Sequence, residues 1–191
     1  MQRTDFNTYM SQSADLLQKT SAALDAAIID RAISFAVTAI ESGHPILVCG
    51  NGGSASDAAH ITGELVGRFL KERRAINAIS LSANTSVLTA WANDYDFETV
   101  YSRQVEAHGR ENGVLIALST SGTSKNIVHA AKTAKSMGMK VIALTGEGGG
   151  ALAAHADALL AVPSTKTPLI QQVHLCLYHY LCAEIEARCF A

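Results

Sequence analysis

His60 and Glu64 stand four residues apart in Asp57-Ala-Ala-His-Ile-Thr-Gly-Glu-Leu-Val-Gly-Arg68, so a helix puts an imidazole and a carboxylate on one face. Such a pair in isolation is more often a surface contact than a site. Two neighbours add weight to it. The helix opens directly out of a glycine loop, and a second polar set, Gln171, His174 and His179, interrupts an otherwise apolar terminal helix. Buried polar groups need partners. An imidazole, a carboxylate, an amide oxygen and a second imidazole form a mixed nitrogen–oxygen shell suited to zinc or a similar divalent ion. Gln171 and His179 are separated by about 12 Å of helix rise and roughly 80° around the axis, so one helix brings both to a single ion only at full stretch. The spacing is easier to satisfy if one of them crosses from a neighbouring subunit, with Val173, Leu175, Leu177, Leu181 and Ile185 at the contact. His174 competes as a ligand, its other reading being a core histidine bonded to a backbone carbonyl.

A second chemistry lies in Ser119-Thr-Ser-Gly-Thr-Ser124, where every residue except Gly122 carries a hydroxyl. An apolar run, 114–118, precedes it and reads as a buried parallel strand. Residues 126–137 follow with helical spacing of Ile127, Val128, Ala131 and Ala134. Unpaired N–H groups and the positive end of the helix dipole then face the loop, and with the hydroxyls they suit a phosphate dianion. No Lys falls within the six residues, so the P-loop pattern is not met. The plainer reading is a serine-rich turn with Ser124 or Thr123 as N-cap.

Gly50-Asn-Gly-Gly-Ser-Ala55 fits the dinucleotide pattern G-x-G-x-x-A, but the strand that should end in a ribose-binding carboxylate ends Ile79-Ser-Leu-Ser82. The dinucleotide reading is therefore set aside. The glycines still allow close approach of a ligand to the backbone, and Asn51 offers an amide to a sugar hydroxyl or carbonyl.

The elements that must position these groups alternate. Residues 5–42 read as helix, with Asp30 as N-cap of a second segment and Gly43 closing it. Strands are expected at 45–49, 75–81, 114–118, 140–145 and 158–162. Helices are expected at 54–69, 86–92, 98–108 and 126–137, with a long one at 169–190 and a polar break at 93–96. Strands alternating with helices predict an α/β fold, a three-layer αβα sandwich around a mainly five-stranded parallel sheet. No repeat or linker is visible, so residues 1–191 read as one domain.

At 191 residues the chain is 48% hydrophobic and 17% charged, an apolar balance whose natural outlet is subunit contact. The start, Met1-Gln-Arg-Thr-Asp-Phe, has no signal-like apolar region, and no run reaches spanning length. A net charge of −2 argues against general nucleic-acid binding. Cys49, Cys176, Cys182 and Cys189 form no CxxC pair, which favours reduced thiols in a cytoplasm.

Taken together, Cys49-Gly-Asn-Gly-Gly-Ser-Ala-Ser-Asp-Ala-Ala-His60, Gly63-Glu-Leu-Val-Gly-Arg68, Ala92-Asn-Asp94, Ser119-Thr-Ser-Gly-Thr-Ser124, Leu144-Thr-Gly146 and Ile170-Gln-Gln-Val-His174 closely resemble the phosphoheptose isomerases of the sugar isomerase (SIS) fold. The resemblance spans nearly the whole chain. It implies an aldose–ketose isomerase acting on sedoheptulose 7-phosphate through an enediol, with Glu64 as base and His179 as acid. It implies substrate contacts at Asn51, Gly52, Gly53, Glu64, Asn93, Asp94, Ser119, Thr120, Ser121, Ser124 and Gln171, with Arg68 from a neighbouring chain. It further implies zinc, one per subunit, on His60, Glu64, Gln171 and His179. The assembly implied is a cytoplasmic homotetramer with active sites shared between subunits, residues 1–43 serving subunit contacts, in the supply of heptose for lipopolysaccharide or other surface glycans. One departure stands out: Gln172 replaces the family's usual Glu. The runner-up is a non-catalytic SIS protein that binds the bacterial replication initiator. Such relatives lack the Glu and the terminal-helix His present here.

Overall fold

The structure, a computed structural model, describes residues 4–190. Two helices come first, α1 (Phe6–Ala23) and α2 (Ala26–Glu41). There follow β1 (Ile46–Cys49), α3 (Gly53–Val66), β2 (Ala78–Ser80), α4 (Thr85–Asp94), α5 (Val100–His108), β3 (Val114–Ser119), α6 (Lys125–Ser136) and β4 (Lys140–Thr145). A short 3-10 turn at Gly150–His155 leads to β5 (Ala158–Ala161) and the long α7 (Thr167–Cys189). The five strands are all parallel and ordered β2-β1-β3-β4-β5.

The expected three layers are present, and the strand pleat builds them. Side chains alternate across a strand, so Ile46, Val48, Ile116, Leu118, Ile142 and Leu144 face one way, onto α2, α3 and α7. Leu47, Cys49, Leu115, Ala117, Val141 and Ala143 face the other, onto α5 and α6. Each fully buried Leu or Ile contributes about 1.5–3 kcal/mol of transfer free energy. α1 lies outside this frame, packed through Tyr9 and Leu16 against α7.

Several local expectations need correction. The break between the first helices falls at Leu24 and Asp25, not at Asp30, because Asp25 accepts from the Ala27 N–H at 2.8 Å and caps α2. Asp30 instead meets Arg188 at 2.7 Å. The second strand is shorter than 75–81, because the Ile76 N–H turns to the Leu65 carbonyl at the end of α3 rather than joining the ladder. The helix expected at 86–92 starts at Thr85, capped by Asn84, and runs through Asn93 and Asp94. In the terminal helix, Val173, Leu181 and Ile185 are buried within the chain's own core. They are not free for the subunit contact assigned to them, and Leu175 is the exposed member of that set.

Candidate active site

The sheet order reverses direction between β1 and β3, since β1 connects outward to β2 and β3 outward to β4. Crevices for ligands open at the carboxyl ends of strands at such a point. Here a cavity of about 260 Å³ lies between the two loops singled out in the sequence. Asn51, Gly52, Gly53 and Ser54 line it from one side, Ser119, Thr120 and Ser124 from the other, and Thr167 and Gln171 from the start of α7. Ser121 falls in an adjoining hydroxyl-rich hollow of about 330 Å³ with Thr123, Ser164 and Thr165.

Three helices begin at this cavity, and none is capped by the side chain of its N-cap residue. α1, α2 and α4 carry capping bonds from Asp5, Asp25 and Asn84. α3, α6 and α7, whose cap residues are Gly52, Ser124 and Lys166, have none. Ser124 sits where the sequence placed an N-cap, but its hydroxyl takes a bond from Ser119 Oγ at 3.2 Å and caps nothing. In the first turn of α6 the Ile127 N–H goes to Asn126 Oδ1 at 3.0 Å, and the N–H groups of Lys125 and Asn126 have no partner among the described residues. Three positive dipole ends thus converge on one small volume with first-turn donors of α3 and α6, the electrostatics of an anion site. α7 adds its dipole but few donors, since Pro168 has no N–H and the N–H groups of Leu169 and Ile170 go to the Lys166 carbonyl. Gly122 makes the second loop feasible: its φ is +66°, and a Cβ there would strike the Gly149 carbonyl.

His60 and Glu64 lie further along α3, beside α7. The two helices run side by side in the same direction, as successive contacts of Gln171 with Gly53, Tyr178 with His60 and Glu186 with Phe69 require. His60 Nε2 is 3.0 Å from Glu64 Oε1, and its ring centroid is 5.0 Å from that of His179. One ligand-capable atom from each of His60, Glu64 and His179 lies within 4.8 Å of the others. The crossing from a neighbouring subunit is therefore not needed for His179, which joins the pair within one chain.

The cluster fits a divalent cation by its chemistry. Two imidazoles and a carboxylate are a borderline-soft donor set. The Tyr178 hydroxyl meets His60 Nδ1 at 2.9 Å and so turns Nε2 toward Glu64. His179 Nε2 is buried without a hydrogen-bond partner among the described residues. Tyr178 is itself 3.4 Å from Asp57 Oδ1; burial raises the pKa of both groups.

Gln171 lies about two turns before His179, its amide seated against Gly53, where a Cβ would collide with it. Its neighbour Gln172 points elsewhere and donates to the Tyr9 hydroxyl of α1 at 3.0 Å, so the departure from the family's Glu is felt at a helix–helix contact. His174 is the core histidine of the two readings. It is fully buried, its Nε2 meets the Thr145 carbonyl at 3.1 Å, and burial pulls its pKa down to about 4. Arg68, Asn93 and Asp94 are exposed and do not line the cavity of the single chain.

Sequence reasoning missed the groups that hold these residues. Glu186 accepts the N–H groups of Phe69, Leu70 and Lys71 and meets Arg73 Nε at 3.0 Å. Against the penalty of burial, those donors keep its carboxyl below the usual range. Arg73 in turn donates to the carbonyls of Glu64, Leu65 and Gly67, fixing the end of α3 that carries Glu64. At the first loop, Tyr101 and Ser82 bond the Gly50 carbonyl, and Asn126 pairs with Asn51. Their signal in sequence was only that polar residues recur on otherwise apolar helix faces.

Residues 8–146 match the SIS domain family. The chain is similar to a phosphoheptose isomerase of Rhodospirillum rubrum, 49% identical over 158 residues that cover 83% of this chain and 84% of that one. Among solved structures it resembles the phosphoheptose isomerase GmhA of Neisseria gonorrhoeae, with a TM-score of 0.88, 39% identity and coverage of 94% and 95% of the two chains. It also resembles a phosphoheptose isomerase of Francisella tularensis, with a TM-score of 0.90, 38% identity and coverage of 95% and 96%. A sheet of this order, with its cleft at the reversal and a family match over most of its length, places the chain in the SIS domain family. Within that family it groups with the phosphoheptose isomerases, and its class of activity is isomerisation.

Proposed function

We propose that this chain converts sedoheptulose 7-phosphate to D-glycero-D-manno-heptose 7-phosphate through an enediol. The observation that carries the reading is an anion cleft at three uncapped helix N-termini, with a His60–Glu64–His179 cluster two turns further along the same pair of helices. Two turns and a fraction, about 12 Å, is a span that an extended seven-carbon sugar phosphate can bridge. The phosphate is gripped by Ser119, Thr120, Ser121, Ser124 and the N–H groups of Gly52 and Gly53, and it is never transferred, which accounts for the missing Lys. Its binding energy sets the register of the reacting carbons.

At the other end Glu64, half-buried, removes the proton on C1 of the ketose while His179 delivers a proton to O2, giving the enediol. Glu64 then returns its proton to C2 as the O1 proton goes back to His179, and the aldehyde forms at C1 with no net change in composition. Tyr178 holds His60 in the orientation that faces Glu64. His60, Glu64 and His179 are the set we assign to zinc, one per subunit. Gln171, which within the same chain is seated against Gly53 two turns away, is assigned as a fourth ligand supplied from a neighbouring chain. Zinc would supply Lewis-acid stabilisation of negative charge on oxygen.

The same reading makes the assembly a homotetramer. Arg68, Asn93 and Asp94, exposed on one chain, complete substrate contacts across a subunit boundary. Phe6 and Met10, 75% and 52% exposed on α1, suit a subunit contact by residues 1–43, of which 1–3 lie outside the described residues. The setting we infer is cytoplasmic supply of heptose for lipopolysaccharide or other surface glycans. The non-catalytic alternative, an initiator-binding protein, is disfavoured by the intact Glu64 and His179. Purified protein incubated with sedoheptulose 7-phosphate, with and without chelator, tests the proposal: aldose phosphate is expected, and no conversion even with added zinc overturns it.

A further inference from the structure

The two loops of the cleft come from different strands, and one pair of side chains ties them together. Asn51 Nδ2 donates to Asn126 Oδ1 at 2.8 Å, and Asn126 Nδ2 donates back to Asn51 Oδ1 at 2.9 Å. A reciprocal amide pair can be drawn two ways, with both amides turned over. The Ile127 N–H removes that freedom: it donates to Asn126 Oδ1 at 3.0 Å, so this atom must be the oxygen, and the atom of Asn51 that faces it must be the nitrogen. The Tyr101 hydroxyl reaches Asn51 Oδ1 at 3.3 Å as well as the Gly50 carbonyl at 2.6 Å. Because Ser82 Oγ also donates to that carbonyl at 3.0 Å, the Tyr101 proton is available to Asn51 Oδ1. Both supporting residues are buried, Tyr101 at 2% exposure and Asn126 at 4%.

Counting valences then fixes what Asn51 presents to the cavity it lines. An amide has two N–H donors and one oxygen with two lone pairs. Asn126 takes one N–H and one lone pair, and Tyr101 closes the other side of the oxygen. One N–H remains. Resting on the sugar-phosphate reading above, we propose that Asn126, which does not line the cavity, is a positioning residue that makes Asn51 a donor-only contact. The partner of that N–H is an oxygen of the substrate acting as acceptor, a carbonyl, ether or phosphate oxygen, and not a hydroxyl acting as donor. The same pair sets the spacing between the Gly52–Gly53 and Ser119–Ser124 sides of the cleft.

A double-mutant cycle separates this from a merely structural role, since residues that act through one another are non-additive. The cycle comprises Asn51→Ala, Asn126→Ala and the double variant. It is read in KM and kcat for sedoheptulose 7-phosphate and in the calorimetric Kd of the reduced, non-isomerising heptitol 7-phosphate. Asn126→Ala is expected to weaken binding about three- to tenfold, the scale of one hydrogen bond, with kcat within about twofold of wild type. In the Asn51→Ala background the same change is expected to add less than about twofold. Asn126→Asp keeps the acceptor for Ile127 but sets a carboxylate against Asn51 Oδ1, and is expected to weaken binding at least as much if the alanine variant fails to fold. Additive losses, or a loss confined to kcat, overturn the proposal. A wild type that converts nothing yet binds the heptitol phosphate sinks the isomerase reading alone, and the Kd cycle still decides the role of Asn126. A wild type that binds neither overturns both.

Discussion

Lowering the pH tests whether His174 is core rather than ligand. Its imidazole is fully buried and titrates at about 4, against 6.5 for the ordinary group, because burial penalises the cation more than the Thr145 carbonyl favours it. Between those two values the unfolded chain binds a proton that the folded chain refuses, so stability rises with pH through this window and is lost as pH falls below about 6.5. At pH 5 the separation from 6.5 is about 1.5 pH units, which at 1.36 kcal/mol per unit is a loss of about 2 kcal/mol relative to neutral pH. At pH 4 it approaches 3 kcal/mol. His174→Gln keeps an N–H donor for the Thr145 carbonyl and does not titrate. Urea unfolding of both proteins at a fixed protomer concentration, in half-unit steps from pH 7.5 to 4.5, gives the difference in stability, from which the other histidines cancel. That difference is expected to be flat above pH 7 and to shift by about 2 kcal/mol in the variant's favour by pH 5. A difference that stays constant across the range refutes the buried neutral imidazole.

Other perturbations address the site and its supports. Glu64→Gln is expected to fold and bind sugar phosphate but turn over at least ~100-fold slower, the scale of lost general-base catalysis, and near-normal turnover reassigns the base. Gly53→Ala removes the space that the Gln171 amide occupies without demanding an unusual backbone angle. Native-like thermal unfolding with kcat/KM down about 100-fold is expected, since a 1 Å misplacement of a positioning group reaches that scale, and unchanged kinetics refute it. Glu186→Ala leaves Arg73 buried without its partner and three N–H groups unpaired, so unfolding in urea should show a loss of about 3–5 kcal/mol. A loss below about 1 kcal/mol would mean that water reaches the pair.

Much of the fold was legible because it rests on local periodicity. The runs expected as strands at 45–49, 114–118 and 140–145 fall on β1, β3 and β4 to within a residue, and the amphipathic stretches between them on helices. Where expectation and structure part, the deciding bond is a side chain or backbone group that periodicity does not encode. Asp25 rather than Asp30 caps α2, and Ile76 leaves the ladder for Leu65. His174 and His179 looked alike on one apolar helix. Their different angles on α7, against β4 in one case and α3 in the other, make the first a neutral core group and the second a member of the cluster.

The sequence by itself determined the α/β alternation, the glycine and hydroxyl loops at strand ends, and the pairing of His60 with Glu64 one helical turn apart. All of these follow from residue type and short spacing, where covalent geometry carries the information. Only the tertiary structure decided that β1 and β3 lie side by side, so that loops 68 residues apart (Asn51 to Ser119) line one cavity with three uncapped helices around it. It alone decided that α3 and α7 run in the same direction, which brings His179 to Glu64 across 115 residues and sets that cluster two turns from the anion cleft. Contacts at such separations are fixed by which faces bury against which, a property of the whole core that no local pattern carries.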